Sequence, residues 1–258
     1  MVIIGHRGAM GYEPENTLRS FEKAISLGVD MIELDVYVLH DGTLVVIHDD
    51  KVDRTTNGTG YVMDKTFSQL RKLDAGKGER IPTLQEVLDL VNRRAGIVIE
   101  LKGEGTATAV ATVIEEYVRN HQWQYDDFIV SSFRHPEVDI FRNKLLQVRW
   151  GAHIGGIPLT YAKFGEDLGA YAVKVDKDFI NQAYVDDAHK RGLKMYVFTV
   201  NDYDDIEKIK SMGVDGIFTN YPDRLRPQPR TRLKPKKKKY LLYPHKLFNH
   251  IRERYNSL

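Results

Sequence analysis

Residues 31–36, Met31-Ile32-Glu33-Leu34-Asp35-Val36, and residues 97–102, Ile97-Val98-Ile99-Glu100-Leu101-Lys102, alternate apolar and charged side chains with a period of two. Successive side chains of a β-strand point to opposite faces. Glu33 and Asp35 therefore share one face, with Ile32, Leu34 and Val36 on the other, and Glu100 and Lys102 repeat the arrangement at the end of the second run. Paired carboxylates on a buried strand need a cation, protons or a dense hydrogen-bond network, because burying an unpaired charge is very unfavourable. A hard divalent cation on oxygen ligands meets that need most simply. One such pair alone reads equally well as a structural ion pair or a solvated strand end. Two pairs, joined by the histidines described below, favour a site.

Outward from these runs, β-type segments alternate with helix-like segments along residues 1–223. Eight strand candidates are counted, at residues 2–5, 31–38, 97–101, 128–132, 148–152, 170–175, 194–199 and 216–219. Residues 17–26 place Leu18, Phe21, Ala24 and Ile25 on one helical face, and residues 181–190 are likewise helix-like. The alternation is the pattern of a parallel sheet built from βα units. Eight units in ~250 residues match an α/β fold of the (β/α)8 TIM-barrel type. A doubly wound open sheet is the alternative, since periodicity alone cannot close a barrel. One stretch breaks the alternation: between His48 and Leu84 the chain carries Gly58, Gly60, Gly76, Gly78 and Pro82, with helical spacing only at residues 67–73. It reads as a small insertion after the second strand unit, about residues 49–83, rising from the face where loops leave the strand C-termini.

Composition narrows the class. With 258 residues, 42% hydrophobic and 29% charged, the chain can bury one large core or two small ones, and disorder as its main character is excluded. Apolar runs such as Ile97-Val98-Ile99 fall far short of the ~18 residues a membrane span needs. The start, Met1-Val2-Ile3-Ile4-Gly5-His6-Arg7, shows no charged leader or long hydrophobic stretch, so a cytoplasmic location is the expectation. The absence of cysteine removes disulfides, thiolate nucleophiles and zinc-thiolate or iron–sulfur sites, leaving oxygen or imidazole to hold any metal. The net charge of +2 is unevenly spread: residues 1–223 carry −9 and residues 224–258 carry +11. Pro227, Pro229 and Pro235, with Lys236 to Lys239 following, mark a composition boundary. The expected division is a barrel domain at residues 1–225 and a basic tail at 226–258.

His6 ends the first strand and is followed by Arg7 and Gly8, while His48 ends the apolar run Leu44-Val45-Val46-Ile47. Two imidazoles and a fixed cation beside a carboxylate-held metal meet the needs of phosphate ester cleavage: charge neutralisation, a base for the nucleophile and an acid for the leaving oxygen. A single histidine at a strand end is more often structural. His153, just after a strand candidate, is a further candidate for the pocket. Ser131 and Ser132 end a strand without a Gly-x-Ser-x-Gly elbow, and neither a P-loop nor a Gly-x-Gly-x-x-Gly motif occurs.

An ordered set of motifs resembles the glycerophosphodiester phosphodiesterases: His6-Arg7-Gly8 with Pro14-Glu15-Asn16-Thr17, Glu33-Leu34-Asp35, His48-Asp49, Asp53 to Gly60, Ile81 to Leu84, Glu100-Leu101-Lys102, Ser132-Phe133, Thr199-Val200-Asn201 and Thr219-Asn220-Tyr221-Pro222. The resemblance covers residues 1 to about 225 and implies a (β/α)8 barrel with an insertion after the second strand unit. It implies that Glu33, Asp35 and Glu100 hold one divalent cation, Mg2+ or Ca2+, and that His6 and His48 are the general acid and base. Arg7 and Lys102 then face the phosphate, with Phe133 and Phe198 in the pocket. The implied reaction releases sn-glycerol 3-phosphate and an alcohol. Where the family commonly has Trp before Thr-Val-Asn, this chain has Phe198, which keeps an aromatic wall but loses the indole N–H.

The expected partner is a small glycerophosphodiester, with no nucleic acid and with peripheral membrane contact through the tail. Leu247, Phe248, Ile251, Tyr255 and Leu258 fall at near-helical spacing among basic residues, as in an amphipathic helix. Its apolar stripe suits an anionic membrane, this chain's own acidic domain or another subunit. Two other readings compete: a phospholipase acting on intact lipids, and a catalytically dead barrel serving as a scaffold.

Overall fold

The period-two strands do close on themselves. The computed structural model describes residues 1–226, which pack as one unit. Eight strands, β1 (Val2–Gly5), β2 (Met31–Val38), β4 (Gly96–Leu101), β5 (Phe128–Ser132), β6 (Arg149–Ile154), β7 (Ala172–Asp176), β8 (Lys194–Phe198) and β9 (Gly216–Thr219), pair in parallel, each with its neighbour in this order. β1 pairs with both β2 and β9, which completes the barrel and rules out the open sheet. Around it stand α1 (Leu18–Ser26), α3 (Leu84–Val91), α4 (Thr106–Asn120), α5 (His135–Lys144), α6 (Lys163–Asp167), α7 (Gln182–Lys190) and α8 (Tyr203–Ser211), with the single turn α2 (Phe67–Leu70) between β2 and α3.

Alternation along the strands sorts the core into two layers. Ile32, Leu34, Val36, Ile97, Ile99 and Leu101 point outward and pack in the same apolar cluster as Phe21, Val87, Leu88 and Val110 of the helices. Ile4, Met31, Val98, Ile129, Ala172, Tyr196 and Phe218 form a separate cluster inside the barrel. They plug its lower part, and the charged residues sit above them. Helix starts are locally specified: Thr17 caps α1 by accepting from Ser20 N, and Thr83 with Glu86 forms a capping box on α3, devices worth ~1 kcal/mol each.

Several boundaries differ from the sequence-based expectation. The run Leu44–Val46 is a ninth strand, β3, which pairs antiparallel with β2 and takes no part in the barrel. β6 extends two residues further, to Ile154, so His153 is a strand residue. β7 starts two residues later and ends at Asp176, while the helix expected at residues 67–73 stops at Leu70. The irregular chain between β3 and α3 has a small core of its own, in which Val52, Val62, Leu70, Ala75 and Ile81 pack with Val45 and Ile47. Among the described residues no helix is long and apolar enough to cross a membrane. The expected amphipathic helix of the tail lies outside the described residues.

Candidate active site

All ten site and pocket candidates offered above line one cavity of about 250 Å3 at the C-terminal mouth of the barrel: His6, Arg7, Glu33, Asp35, His48, Glu100, Lys102, Phe133, His153 and Phe198. Strand register explains the meeting, since Asp35 lies directly opposite Glu100 in the β2–β4 pair. Glu33, Asp35 and Glu100 are all buried, and each offers an oxygen within 4.8 Å of the others'. Glu33 Oε2 accepts from the Arg7 backbone N–H (2.9 Å), Asp35 Oδ2 accepts from Asn16 Nδ2 (2.9 Å), and Glu100 Oε1 accepts from Lys102 Nζ (2.8 Å). Asp35 Oδ1 is buried with no hydrogen-bond partner. Burial, aided by the charge of Asp35, pushes the Glu33 carboxyl up to about 8. Burial acts the same way on Glu100, but Lys102 and Lys174 outweigh it and hold that carboxyl below its ordinary range. At Glu33 the charges of Lys174 and Arg7 do not offset burial and the neighbouring acids, and Asp35 has an unused buried oxygen. Three hard carboxylate donors with these two deficits fit a divalent cation.

The turn after β1 is built to present Arg7. Arg7 itself takes a left-handed backbone conformation (φ 50°), followed by Gly8 at φ 85°. A Cβ on Gly8 would lie 2.3–2.8 Å from Ser20, so only glycine fits where α1 crosses the turn. The Ser20 hydroxyl and the Asn16 N–H both donate to the Arg7 carbonyl, at 2.9 and 3.1 Å. The Arg7 side chain then bonds Glu15 (2.8 Å) and approaches Asp35 (3.4 Å).

The two histidines are oriented alike. His6 Nδ1 donates to Asn220 Oδ1 (2.8 Å), and His48 Nδ1 donates to Asp49 Oδ1 (2.6 Å), so each ring keeps Nε2 for the cavity. Their electrical settings differ. Burial, reinforced by Arg7, lowers the His6 pKa to about 4, so the ring is neutral throughout the physiological range. His48 lies beside a carboxylate that Arg54 holds far below the usual aspartate range. Its Nε2 lies 3.1 Å from Lys102 Nζ.

The cavity is also lined by Lys174, to which the sequence reading assigned no role, and by His153, a pocket candidate from the sequence. Lys174 is buried inside the barrel, its Nζ 3.1 Å from Ser131 Oγ and 4.2 Å from the centre of the Phe218 ring. A lone lysine at an inward position of Ala172-Val173-Lys174-Val175 was the available signal. His153 is also buried, with both ring nitrogens unpartnered and Nδ1 3.5 Å from Glu100 Oε2. Burial and the charges of Lys174 and Lys102 keep it neutral. Phe133 packs edge-on against His153 and Phe198, at 4.6 and 6.0 Å between ring centres. Ser132, by contrast, is structural: its hydroxyl donates to Leu101 O (2.6 Å).

Fold and mouth together define a (β/α)8-barrel enzyme of the phosphoric diester hydrolase class. The chain belongs to the glycerophosphoryl diester phosphodiesterase family, whose model matches residues 6–224. Bacillus subtilis YhdW is 38% identical over 234 residues, 86% of this chain and 96% of that protein. The glycerophosphodiester phosphodiesterase of Caldanaerobacter subterraneus is 36% identical over 237 residues, 87% of this chain and 96% of the relative. An Oleispira antarctica phosphodiesterase, solved in complex with the product sn-glycerol-3-phosphate, matches with a TM-score of 0.79 at 30% identity. That match covers 87% of this chain and 95% of the other.

Proposed function

We propose that the protein hydrolyses small glycerophosphodiesters to sn-glycerol 3-phosphate and an alcohol, using one divalent cation, Mg2+ or Ca2+, and two histidines. The observation that carries the reading is the convergence of three buried carboxylates and two Nε2-directed imidazoles on one cavity that also holds Arg7 and Lys102. Glu33, Asp35 and Glu100 would hold the cation, which when bound polarises the phosphoryl group and neutralises developing charge. Arg7 and Lys102 orient the phosphate and stabilise its added charge in the transition state. His6, kept neutral by burial and Arg7, takes a proton at Nε2 from the water whose oxygen bonds to phosphorus. His48, held in place by Asp49 at Nδ1, gives a proton from Nε2 to the departing alkoxide as its bond to phosphorus breaks. The proton gained by one ring balances the proton lost by the other.

The direct test is hydrolysis of glycerophosphocholine and glycerophosphoethanolamine, followed as glycerol 3-phosphate release. EDTA should abolish turnover, and Mg2+ or Ca2+ should restore it. Turnover that survives exhaustive metal removal would sink the metal assignment, and none on either diester would sink the substrate class.

A second reading, cleavage of intact lipids, draws on one feature of the mouth. Phe133, Ile157 and Phe179 are exposed, and Leu159 is fully so, on loops that follow β5, β6 and β7. These loops leave the same end of the barrel as the cavity. Basic residues of the tail would add ~1 kcal/mol each on an anionic surface. If the tail brings the enzyme to membranes, the full chain floats with anionic liposomes and a chain cut after residue 226 does not. Equal recovery of both would remove the tail from that role.

A further inference from the structure

Arg54 stands apart from the cavity, yet its guanidinium holds the acid partners of two residues that line it, His48 and Arg7. Nε and one terminal nitrogen donate to Asp49 Oδ2 and Oδ1 (2.6 and 3.0 Å), and the terminal pair donates to Glu15 Oε2 and Oε1 (2.8 and 2.7 Å). Both carboxylates are thus held two-pronged by one planar group, the geometry that arginine supplies and lysine does not. Each carboxylate has a second partner at the site. Asp49 Oδ1 accepts from His48 Nδ1 at 2.6 Å, and Glu15 Oε1 accepts from Arg7 at 2.8 Å. The result is a continuous chain, Arg7, Glu15, Arg54, Asp49, His48, that starts on the loop after β1 and ends on the segment after β3. Arg54 is its midpoint and is contributed by the insertion.

The insertion's own packing places that midpoint. Val52, two residues before Arg54, is buried in the small core with Val62 and Ile81. Its N–H donates to Gly60 O (3.0 Å), and its carbonyl accepts from Thr56 N (3.0 Å), closing a tight turn around Arg54. The guanidinium is about half exposed, whereas Glu15 is 10% exposed, so the arginine covers a nearly buried acid from the solvent side.

We infer that Arg54 is a positioning residue for the phosphodiesterase reaction: by clamping Asp49 and Glu15 together, it fixes the His48 tautomer and holds Arg7 extended towards the phosphate. The inference rests on the proposed roles of His48 and Arg7. The charges explain why both effects need one cation. Without Arg54, Glu15 has only Arg7 to neutralise it, and Arg7 is drawn off the phosphate. Asp49 likewise has only His48, and the ring loses the rigid acceptor that keeps its proton on Nδ1.

The test compares Arg54→Met and Arg54→Lys with the wild-type full chain under saturating Mg2+. Arg54→Met should lower kcat on glycerophosphocholine by ~10- to 100-fold, the usual effect of losing a group that orients an active-site residue. KM should rise as well, because Arg7 binds substrate. Arg54→Lys, a point donor that satisfies one carboxylate at a time, should fall between the two. In Arg54→Ala, added guanidinium should recover part of kcat. Mg2+ affinity by calorimetry should match the wild type in every variant, since none of the three clustered acids touches Arg54. Independently of turnover, 15N resonances of the histidine rings should show His48 protonated at Nδ1 in the wild type and as a tautomer mixture in Arg54→Met.

An unchanged kcat with an unchanged His48 spectrum would overturn the inference. So would a loss of activity matched by an equal loss of folded protein or of Mg2+ affinity. If the wild type itself does not cleave the diester, the phosphodiesterase reading falls, and the His48 spectrum still decides whether Arg54 sets the tautomer.

Discussion

Replacing His48 by alanine is expected to lower kcat on glycerophosphocholine by at least ~10²-fold, as for loss of a general acid or base, with the fold and metal affinity retained. The ring is partly exposed at the cavity edge and lies outside the acid cluster, so its removal opens no core cavity. His6→Ala should cause a similar loss. The double variant should be little worse than either single one, because groups acting in one proton relay are not additive. Leaving-group chemistry separates the two roles. An alcohol such as p-nitrophenol departs without a proton, so His48→Ala should lose much less activity on the corresponding glycerophospho-nitrophenyl ester than on glycerophosphocholine. His6→Ala should lose the same factor on both, since the nucleophile still needs its proton removed. Equal losses in the two variants on both substrates would show that the acid and base are wrongly assigned.

The parts of this site that were legible in the sequence are those governed by a period of two. Glu33, Asp35, Glu100 and Lys102 stand at alternate positions of apolar strands, and once eight such strands are counted, the barrel brings their ends to one mouth. His6 and His48 were visible because each ends a short apolar run. Lys174 obeys the same period, but one lysine among valines carries no partner in the sequence to mark it. His153 was underrated because β6 runs two residues past the apolar stretch that defines it. β3 escaped the strand count because three residues, Leu44–Val46, give too short a pattern to tell a strand from any other apolar run. The pairing of Arg54 with Glu15 was beyond any periodic reading: the two are 39 residues apart, on an irregular insertion and a turn. Motif resemblance could name both residues without showing that they touch.

Lys174→Met should destabilise the metal-free protein by ~3–5 kcal/mol, the cost of removing one partner from a buried charge cluster. For a domain of this size that corresponds to a fall in Tm on the order of 10 °C. The sign depends on two opposing effects. Burial disfavours the lysine ammonium and lowers its pKa, so methionine relieves one unfavourable group. Against that, Glu100, Glu33 and Asp35 all raise it, and those acids remain when the lysine is gone. Their other cations, Arg7 and Lys102, face the mouth, where a phosphate competes for them. Lys174, packed against Ser131 and Phe218, lines the same cavity but is the most deeply buried of the three cations. Without it the acid cluster should bind a divalent cation more tightly, so adding Mg2+ should raise Tm more in Lys174→Met than in the wild type. The check is a pair of melting curves for each protein, in EDTA and in Mg2+. A variant at least as stable as the wild type in EDTA would mean that desolvation of the ammonium outweighs its pairing, and that Arg7 and Lys102 suffice to hold three carboxylates together.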